Sequence, residues 1–493
     1  MRKGNRLLTL DWTPNVDTWA ETATYRDPEN PLYQGNPLIE ALPSPRSTPE
    51  VINLLKHYPD FDPAHRAYPE EIRLDMIENV AQVFQPLNEH LTLERRFARA
   101  IRGGYVGRDL FEIPSVAKTA KKLQADEPQN RERALARGFY LIGMSGMGKT
   151  TSTEAILSLY PQVIWHSDYN GQVIMRAQVT WLKLECPHDG STRSLCFAFF
   201  AALDKILGTN YYTAYAENGR ATVAKMQIYM AFLCELLNIG ILVIDEVQHL
   251  NRAKSGGAET MLNFFVGLSN TIRIPMVLIG TYHAFDIFTK EFRQMRRGTR
   301  QGNFIWQRMQ KEDPSWETLL KGIWKYQYVR QPVPLTPELG EALYYVTQGV
   351  TDLVITVFIL AQERAITDGM ETIEPSTIYS VAADSMELAY KPLQDLRTNA
   401  ATLQEYVDVV MPIELQDAYV RQARKSEPQP LPRGTGSPQP HQSEPPPDQV
   451  PSAQDLRQHL SLVETETTLY ETLKAVGHIA QAGDYIPPGG GPC

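Results

Sequence analysis

The stretch Gly143-Met-Ser-Gly-Met-Gly-Lys149-Thr150 constrains this chain more than any other part of it. It follows the apolar run 139–142 and fits the strand, glycine-rich loop and helix of a phosphate-binding loop at every required position. Such a loop holds phosphate charge only if its backbone N–H groups turn inward, and glycine permits the backbone angles that this needs. A chance glycine-rich turn is the alternative, and the flanking strand and helix patterns argue against it.

The loop predicts where each part of a nucleotide would bind. The helix that follows would point its positive end at the phosphates of ATP. Lys149 would reach the β- and γ-phosphates, and the Thr150 hydroxyl would ligate Mg²⁺. The predicted nucleotide-binding residues are Gly143, Ser145, Gly146, Met147, Gly148, Lys149, Thr150 and Thr151.

A second apolar run, 241–244, ends in the adjacent carboxylates Asp245 and Glu246. Four consecutive apolar residues are typical of a buried parallel strand. Asp245 would hold Mg²⁺ or its water, and Glu246 would orient and deprotonate the attacking water. An ordinary surface turn after a strand is the alternative, but it is weak downstream of a phosphate-binding loop. The two runs together predict a nucleotide-hydrolysing enzyme or a close derivative of one.

Composition limits the classes of protein that remain. The 493 residues are too many for one core and indicate two or three domains. A net charge of −9 argues against wholesale coating of nucleic acid, although it leaves room for a local basic channel. The four cysteines form no CxxC pair, which favours buried thiols in a reducing cytoplasm. No apolar run approaches membrane-spanning length, so we expect a soluble, cytoplasmic protein with no membrane partner.

The order of predicted elements indicates the fold class. Strands are predicted at 139–143, 162–166, 178–186, 241–246 and 275–281, with helices between them, one of them capped by Asp189 or Ser191 and closed by Gly208 and another at about 258–272. This pattern predicts a parallel sheet covered on both sides. Residues 330–395 show only helical patterns. They predict one helix that begins at Thr336, a second over 353–366 and a third over 375–389. The fold class is therefore α/β, an AAA+ P-loop NTPase module with a helical lid domain.

The domain boundaries follow from the same patterns. We predict an N-terminal extension over 1–95 that is loosely structured, contains a few short helices and is suited to docking partners. An α/β nucleotide-binding domain follows over 96–305. The helical lid domain and its following helices cover 306–425. A Pro-rich disordered linker spans 426–451, because such a composition cannot bury a core. A short amphipathic segment over 452–493 would catch a partner, the alternative being a frayed tail.

Several blocks of sequence resemble a specific family. Over about residues 36–410 the chain is similar to the TnsC regulators of bacterial cut-and-paste transposons, the Tn-seven group. The blocks that carry the resemblance are Asn36-Pro-Leu-Ile-Glu-Ala-Leu-Pro43, Ile101-Arg-Gly-Gly-Tyr-Val-Gly-Arg108, Asp245-Glu-Val-Gln-His-Leu250, Ser255-Gly-Gly, Met261-Leu-Asn-Phe-Phe-Val266 and Gln348-Gly-Val-Thr-Asp352. The linker and tail carry none of it.

The resemblance implies an AAA+ ATPase that does no chemistry on DNA. Such a protein assembles with itself on duplex DNA when ATP is bound, as a hexameric or heptameric ring or as a helical filament. It connects a target selector of the TnsD or TniQ type, sometimes attached to a CRISPR effector, to the TnsA and TnsB transposase. Hydrolysis then resets the assembly. The resemblance also implies a bacterial, DNA-associated location and leaves the target selector and the form of the assembly open.

Further candidate residues surround the nucleotide. Thr281 ends the strand at 275–281 and is either a γ-phosphate sensor or a simple strand-end cap. Arg296 or Arg297 would be the arginine finger that completes a neighbouring subunit's site, the alternative being a solvated basic face. The turn Gly349-Val-Thr-Asp352 lacks the arginine that many AAA+ lids supply there. We therefore expect slow hydrolysis that depends on assembly.

The candidate DNA contacts lie in the insertion where the family places its duplex-facing elements. They are Lys183, Arg193, Lys205, Asn210 and Tyr211. For any single one of them, a packing or surface role is favoured over a DNA contact. Their contacts would be to phosphates and would not read sequence. One rival reading is an AAA+ helicase loader or replication initiator. The other is a scaffold that binds ATP without turnover, against which Glu246 argues.

Overall fold

A central parallel sheet organises the computed structural model, which describes residues 20–124, 138–217, 221–252, 261–265, 272, 274–284, 303–385, 393–394 and 396–397. We number the strands β1 to β8 and the α-helices α1 to α12 in chain order. The strands are Glu21–Thr22, Phe139–Gly143, Val163–Tyr169, Gln172–Val179, Trp181–Glu185, Ile241–Asp245, Met276–Gly280 and Asn303–Trp306. The helices are Pro37–Glu40, Thr48–Leu55, Glu70–Ile77, Asn88–Tyr105, Val116–Gln124, Lys149–Leu157, Thr192–Leu207, Val223–Leu236, Pro314–Trp324, Pro337–Thr347, Thr351–Thr367 and Pro375–Ser385.

The sheet has five parallel strands in the order β5-β6-β7-β2-β8. Strands β2, β6 and β7 are buried along their whole length, as continuous apolar runs require when helices cover both faces. Strand β7 lies between β2 and β6. Because the carboxyl ends of parallel strands meet at one edge, the residues after these three strands are brought together.

The prediction of a single strand over 178–186 is wrong, and the strand predicted at 162–166 is present but lies outside the central sheet. The predicted strand 178–186 is two strands, because β4 ends at Val179 and β5 begins at Trp181 in a different sheet. The predicted strand 162–166 corresponds to β3, which pairs antiparallel with β4 and parallel with β1 and takes no part in the central sheet. Asn170 and Gly171, both with positive φ, make the turn between β3 and β4. An Asn-Gly pair between two apolar runs is a strong local signal for this hairpin.

Strand β8 was not predicted from the sequence. Its four residues pair with β2 over Tyr140–Gly143 and complete the sheet on that side. The predicted domain boundary at 305/306 therefore lies inside this strand. The predicted boundary at 95/96 lies inside helix α4, Asn88–Tyr105, which packs in the core of the sheet through Phe97 and Ile101.

The N-terminal segment contains the few short helices that we predicted, but it is not a loosely structured extension. Among the described residues, Ile77, Val80, Val83 and Leu87 are buried in the same hydrophobic cluster as helices α9 to α12. The segment thus supplies one side of the core of the helical domain, while α4, which follows it, packs against the sheet. The apolar residues that bury this surface are spaced too irregularly for the helical pattern to be read from sequence.

The helix caps were predictable. Ser191 is the N-cap of α7, where its hydroxyl accepts from the Ser194 N–H, and Gly208 closes the same helix at φ 66°. Thr336 caps α10 in the same manner. Helix α11 covers the predicted 353–366, and α12 accounts for the described part of 375–389. Of the predicted helix at 258–272, only residues 261–265 and 272 are described; the linker and tail lie outside the described residues.

Among the described residues, no single helix is long and apolar enough to cross a membrane. The pair α10 and α11 passes the test of length and composition together, with a bend of 120° between them. Both helices contribute buried residues to the core of the helical domain.

A buried ion pair joins the N-terminal segment to the helical domain. The Arg73 guanidinium donates to both carboxylate oxygens of Glu371, at 2.7 and 2.6 Å, and to the Tyr328 carbonyl oxygen at 2.9 Å. The Arg73 side chain is 1% exposed, so its charge depends on this partner. The hydrogen bond from Arg73 lowers the pKa of Glu371 below its ordinary value, despite the opposing effect of burial.

Glu371→Gln should lower the free energy of unfolding by about 3–5 kcal/mol at neutral pH, because it leaves the Arg73 charge buried without a counter-ion. A carboxyl group with a lowered pKa stabilises the fold above its unfolded pKa, and this contribution is lost as the pH falls through the folded pKa. The difference between wild type and variant should therefore shrink below the ordinary carboxyl pKa of 4.5. Urea unfolding at several pH values measures it.

Glu317→Gln is the matched control. Glu317 pairs with Lys321 one turn away at 2.6 Å, but both side chains are 67% exposed. Exposed pairs of this kind contribute little, so this variant should unfold like the wild type at every pH. Equal unfolding of the Glu371 and Glu317 variants would contradict a structural role for the buried pair.

Candidate nucleotide site

The loop between β2 and α6 has the conformation that its glycines permit. Gly146 has φ 76° and Gly148, the N-cap of α6, has φ 81°. The Lys149 side chain folds back over the loop, where its ammonium donates to the carbonyl oxygens of Gly143 and Met144 at 2.9 and 2.8 Å. Lys149 is buried, so its charge is concentrated at the loop. Of the other predicted residues, Met147 is buried, whereas Ser145 and Thr151 are exposed.

Asp245 lies beside Thr150 at the edge of the sheet. The Thr150 hydroxyl donates to Asp245 Oδ2 at 2.8 Å, and the Glu246 N–H donates to Asp245 Oδ1 at 2.9 Å. The Asp245 side chain is 3% exposed. Hydroxyl and carboxylate oxygens are the ligands that Mg²⁺ prefers, and one or two such ligands with phosphate oxygens suffice. The residues present therefore fit a nucleotide-bound Mg²⁺, and Thr150 and Asp245 would hold it.

Gln248 joins the two other candidate residues of the site. Its side-chain amide donates to Glu246 Oε2, and its Oε1 accepts from the Thr281 N–H at 3.2 Å. Glu246 has φ 56°, a backbone angle that non-glycine residues rarely adopt. The Thr281 hydroxyl oxygen is buried and has no hydrogen-bond partner among the described residues. Sequence reasoning did not assign Gln248 a role, although its spacing of two residues from Glu246 was visible.

The helical domain touches the loop directly. The Asp352 N–H donates to the Gly146 carbonyl oxygen at 3.0 Å. Val350 is the N-cap of α11, and Asp352 lies in the first turn of that helix. This is the turn in which the sequence lacks the arginine that many AAA+ lids supply. Arg308, from the chain after β8, supports this turn by donating to the Gln348 carbonyl oxygen at 3.0 Å. The contact links the position of α11 to the conformation of the loop.

Four of the candidate DNA-contacting residues lie on or just after α7. The Arg193 guanidinium lies 5.3 Å from the Phe197 ring centroid, and Lys205 and Asn210 are exposed. Asp204 orders the turn after the helix by accepting from the Tyr211 N–H at 2.6 Å. Burial raises the pKa of the Tyr211 hydroxyl to about 12, so it remains a neutral donor.

The fifth, Lys183, lies in a different place. Its ammonium is 2.6 Å from Glu154 Oε1 and 3.5 Å from Asp245 Oδ2. Burial alone would lower the pKa of Lys183, but the hydrogen bond to Glu154 and the charge of Asp245 raise it overall. Lys183 therefore carries its charge at the nucleotide site. Arg296 and Arg297 lie outside the described residues.

The cysteines are consistent with a structural role. Cys186, Cys196 and Cys234 are buried free thiols, and Cys493 lies outside the described residues. Burial raises the pKa of the Cys186 and Cys196 thiols to about 12, which keeps them protonated and unreactive. Among the described residues, no group of three His, Cys, Asp or Glu side chains could hold a metal ion.

The strand order, the glycine-rich loop and the strand-end carboxylates define an AAA+ P-loop NTPase fold, and the predicted fold class is confirmed. Residues 133–288 match the family model described as an AAA domain, and this segment contains the loop, Asp245, Glu246 and Thr281. A comparison with curated proteins gives no match.

The chain is also similar to several solved structures. The Walker-type ATPase PABY2304 of Pyrococcus abyssi is 16% identical, with a TM-score of 0.37 over 66% of this chain and 90% of that chain. The ORC1 protein of Aeropyrum pernix in complex with DNA is 15% identical, with a TM-score of 0.36 over 64% and 77%. The RuvB Holliday junction branch migration motor of Thermotoga maritima is 13% identical, with a TM-score of 0.32 over 62% and 86%.

Gly146→Ala should weaken nucleotide binding by about tenfold or more, which corresponds to about 1.4 kcal/mol. The Cβ of an alanine at this position would lie 3.1 Å from Val350 Cγ1. The alanine backbone would also have to adopt φ 76°, which is uncommon for residues other than glycine. The control is Gly171→Ala in the β3–β4 turn, where φ is 81° and no atom lies within 4 Å of the added Cβ. Titration of a fluorescent ATP analogue should show the loss for Gly146→Ala alone. If the two variants bound the analogue with equal affinity, the loop would not be the nucleotide-binding site.

Proposed function

We propose that the chain binds Mg²⁺·ATP and hydrolyses it. The observation that carries this proposal is the placement of the buried Asp245 carboxylate on the Thr150 hydroxyl, directly after the phosphate-binding loop and next to Glu246. Lys149 would bind the β- and γ-phosphates from its position over the loop. The helix α6 would add its positive end, since its first N–H groups have no partner within the helix.

In the proposed reaction Glu246 is the base. It orients a water and takes one of its protons as the oxygen bonds to the γ-phosphorus, while the bond from that phosphorus to the β-phosphate oxygen breaks and ADP leaves. Mg²⁺, when bound, neutralises the charge on the phosphate oxygens. Gln248 is a positioning residue that holds the Glu246 carboxylate and the Thr281 backbone together. Thr281, whose buried hydroxyl has no hydrogen-bond partner within the described part of the chain, would respond to the γ-phosphate.

Lys149→Ala should abolish ATP binding, because the phosphates lose their main cation. Glu246→Gln should keep ATP binding but lower the hydrolysis rate by about 10²-fold or more, since the amide cannot accept the proton. Phosphate release and binding of a fluorescent ATP analogue measure the two effects. The control is Glu341→Gln, an exposed carboxylate 59% accessible in the helical domain. Wild-type turnover by the Glu246 variant would remove Glu246 from the mechanism.

We infer a more specific role from the sequence blocks that resemble TnsC. In this role the chain assembles on duplex DNA when ATP is bound and links a TnsD- or TniQ-type target selector to the TnsA and TnsB transposase. Hydrolysis then resets the assembly, and Arg296 or Arg297 would complete the neighbouring subunit's site. The rival role, loading a replicative helicase or initiating replication, uses the same ATPase domain.

The contacts among these blocks support a common function for them. The Asn36 side chain donates to the Tyr105 carbonyl oxygen at 2.9 Å, which ties the first block to the second. Arg108 ends the second block and donates to the Ile239 carbonyl oxygen at 2.6 Å, just before β6. The block at 348–352 contacts the phosphate-binding loop through Asp352. The three blocks 36–43, 101–108 and 348–352 therefore make contacts with one another or with the ATPase domain.

DNA binding should require ATP, tolerate any sequence and weaken steeply with salt, because phosphates are the expected targets. Lys205→Ala should reduce the slope of log affinity against log salt by about one, which is the loss of one phosphate contact. Lys321→Ala, which removes an exposed lysine of α9, is the control and should leave the slope unchanged. Fluorescence anisotropy with unrelated duplexes measures this. Strong preference for one duplex sequence would contradict the proposal.

Partner capture decides between the two roles. Immobilised duplex DNA loaded with the chain and a non-hydrolysable ATP analogue should retain transposase. A chain truncated after residue 425 should load on DNA equally well but retain less transposase, if the tail is the docking segment. Retention of a replicative helicase in place of transposase would favour the rival role.

A further inference from the structure

Lys183 enters the nucleotide site from the strand next to β6. Strands β5 and β6 pair in parallel with Lys183 opposite Val243 and Glu185 opposite Asp245. The Lys183 side chain is only 13% exposed, and its ammonium lies between Glu154 Oε1 at 2.6 Å and Asp245 Oδ2 at 3.5 Å. This position differs from the DNA contact that the sequence suggested for it.

The oxygen beside Lys183 is the one that also faces Thr150. Asp245 Oδ2 accepts from the Thr150 hydroxyl at 2.8 Å, while Oδ1 is occupied by the Glu246 N–H. A Mg²⁺ ion held by Thr150 and Asp245 would therefore lie close to the lysine charge. Neighbouring cations repel each other, and burial strengthens that repulsion. The lysine must therefore either weaken the binding of Mg²⁺ or move away from the ion.

Glu154 offers the lysine a place to go. Thr150 and Glu154 are four residues apart on α6 and so share a face of that helix. The Glu154 side chain is 59% exposed and can move with the ammonium toward solvent. Lysine suits such movement because its charge sits at the end of a flexible four-carbon stem.

We propose that Lys183 is a built-in counter-cation of Asp245 that competes with Mg²⁺ and withdraws onto Glu154 when the metal binds. Lys183 thereby sets the Mg²⁺ concentration that nucleotide binding requires. This inference rests on the proposed ATPase function. The two partners of Lys183 then have different roles. Asp245 binds either the lysine or Mg²⁺, whereas Glu154 holds the lysine while Mg²⁺ is bound.

The test measures the Mg²⁺ midpoint for binding of a fluorescent ATP analogue, starting from EDTA. Lys183→Met removes the charge but keeps the buried stem. It should lower the midpoint by about tenfold or more, because a neighbouring like charge no longer opposes the metal. Glu154→Gln removes the withdrawal site and should raise the midpoint several-fold. Lys183→Arg keeps the positive charge and should stay nearer the wild type than Lys183→Met. The controls Lys321→Met and Glu317→Gln alter an exposed pair and should leave the midpoint unchanged.

The Lys183→Met and Glu154→Gln variants should shift the Mg²⁺ midpoint in opposite directions, which a purely structural role would not do. If Lys183 only braced the fold, both variants would weaken binding together, and this result would overturn the inference. An unchanged or raised midpoint for Lys183→Met would also overturn it, while leaving the ATPase proposal intact. If Lys183→Met fails to fold, Glu154→Gln at an exposed position still decides. Wild-type protein that binds no nucleotide at any Mg²⁺ concentration would overturn the ATPase proposal and this inference with it.

Discussion

The parallel pairing of β6, β7 and β2 is the constraint on which the site depends. Ile244 pairs with Leu278, and Leu141 pairs with Ile279, so the three strands end together at one edge. This register brings the Thr150 hydroxyl within 2.8 Å of a carboxylate 95 residues later in the chain. It also places Thr281, at the end of the middle strand, between the loop and the carboxylates. A shift of one residue in this register would turn every side chain to the other face and separate these groups.

The helical domain and the sheet domain share more than a linker. The N-terminal segment supplies one side of the core of the helical domain, where Arg73 pairs with Glu371, and then continues into α4, which packs against the sheet. A second connection runs through the Asp352 N–H on the Gly146 carbonyl oxygen. Because the loop touches α11 through backbone atoms, any movement of the loop around a phosphate must be accommodated by the helical domain. The position of α11 is thus coupled to the conformation of the loop.

Local signals predicted much of the fold, and tertiary relations account for what they missed. Continuous apolar runs identified β2 and β6, and the caps Ser191, Gly208 and Thr336 identified helix ends, because each depends on neighbouring residues alone. The run 178–186 was wrong because the change of sheet at Thr180 leaves no mark in hydrophobicity. Strand β8 is four residues long, too short for its pattern to stand out from a loop. The N-terminal segment was misjudged because its burial depends on helices more than two hundred residues away.

The candidate site shows the same limit at the level of single charges. Position in a motif predicted Lys149, Thr150, Asp245 and Glu246, since each belongs to a short run whose spacing encodes its geometry. The roles of Lys183 and Gln248 are not encoded in this way, because their placement follows from the pairing of β5 with β6 and from the 3-10 helix Val247–Arg252 after β6. A buried carboxylate such as Asp245 requires a counter-charge or donors in every state of the site. Thr150, the Glu246 N–H and Lys183 meet that requirement. In the proposed site, a Mg²⁺ ion would replace part of what they supply. The free energy of its binding would then depend on how strongly Asp245 holds the ion compared with the lysine, and no single motif contains that quantity.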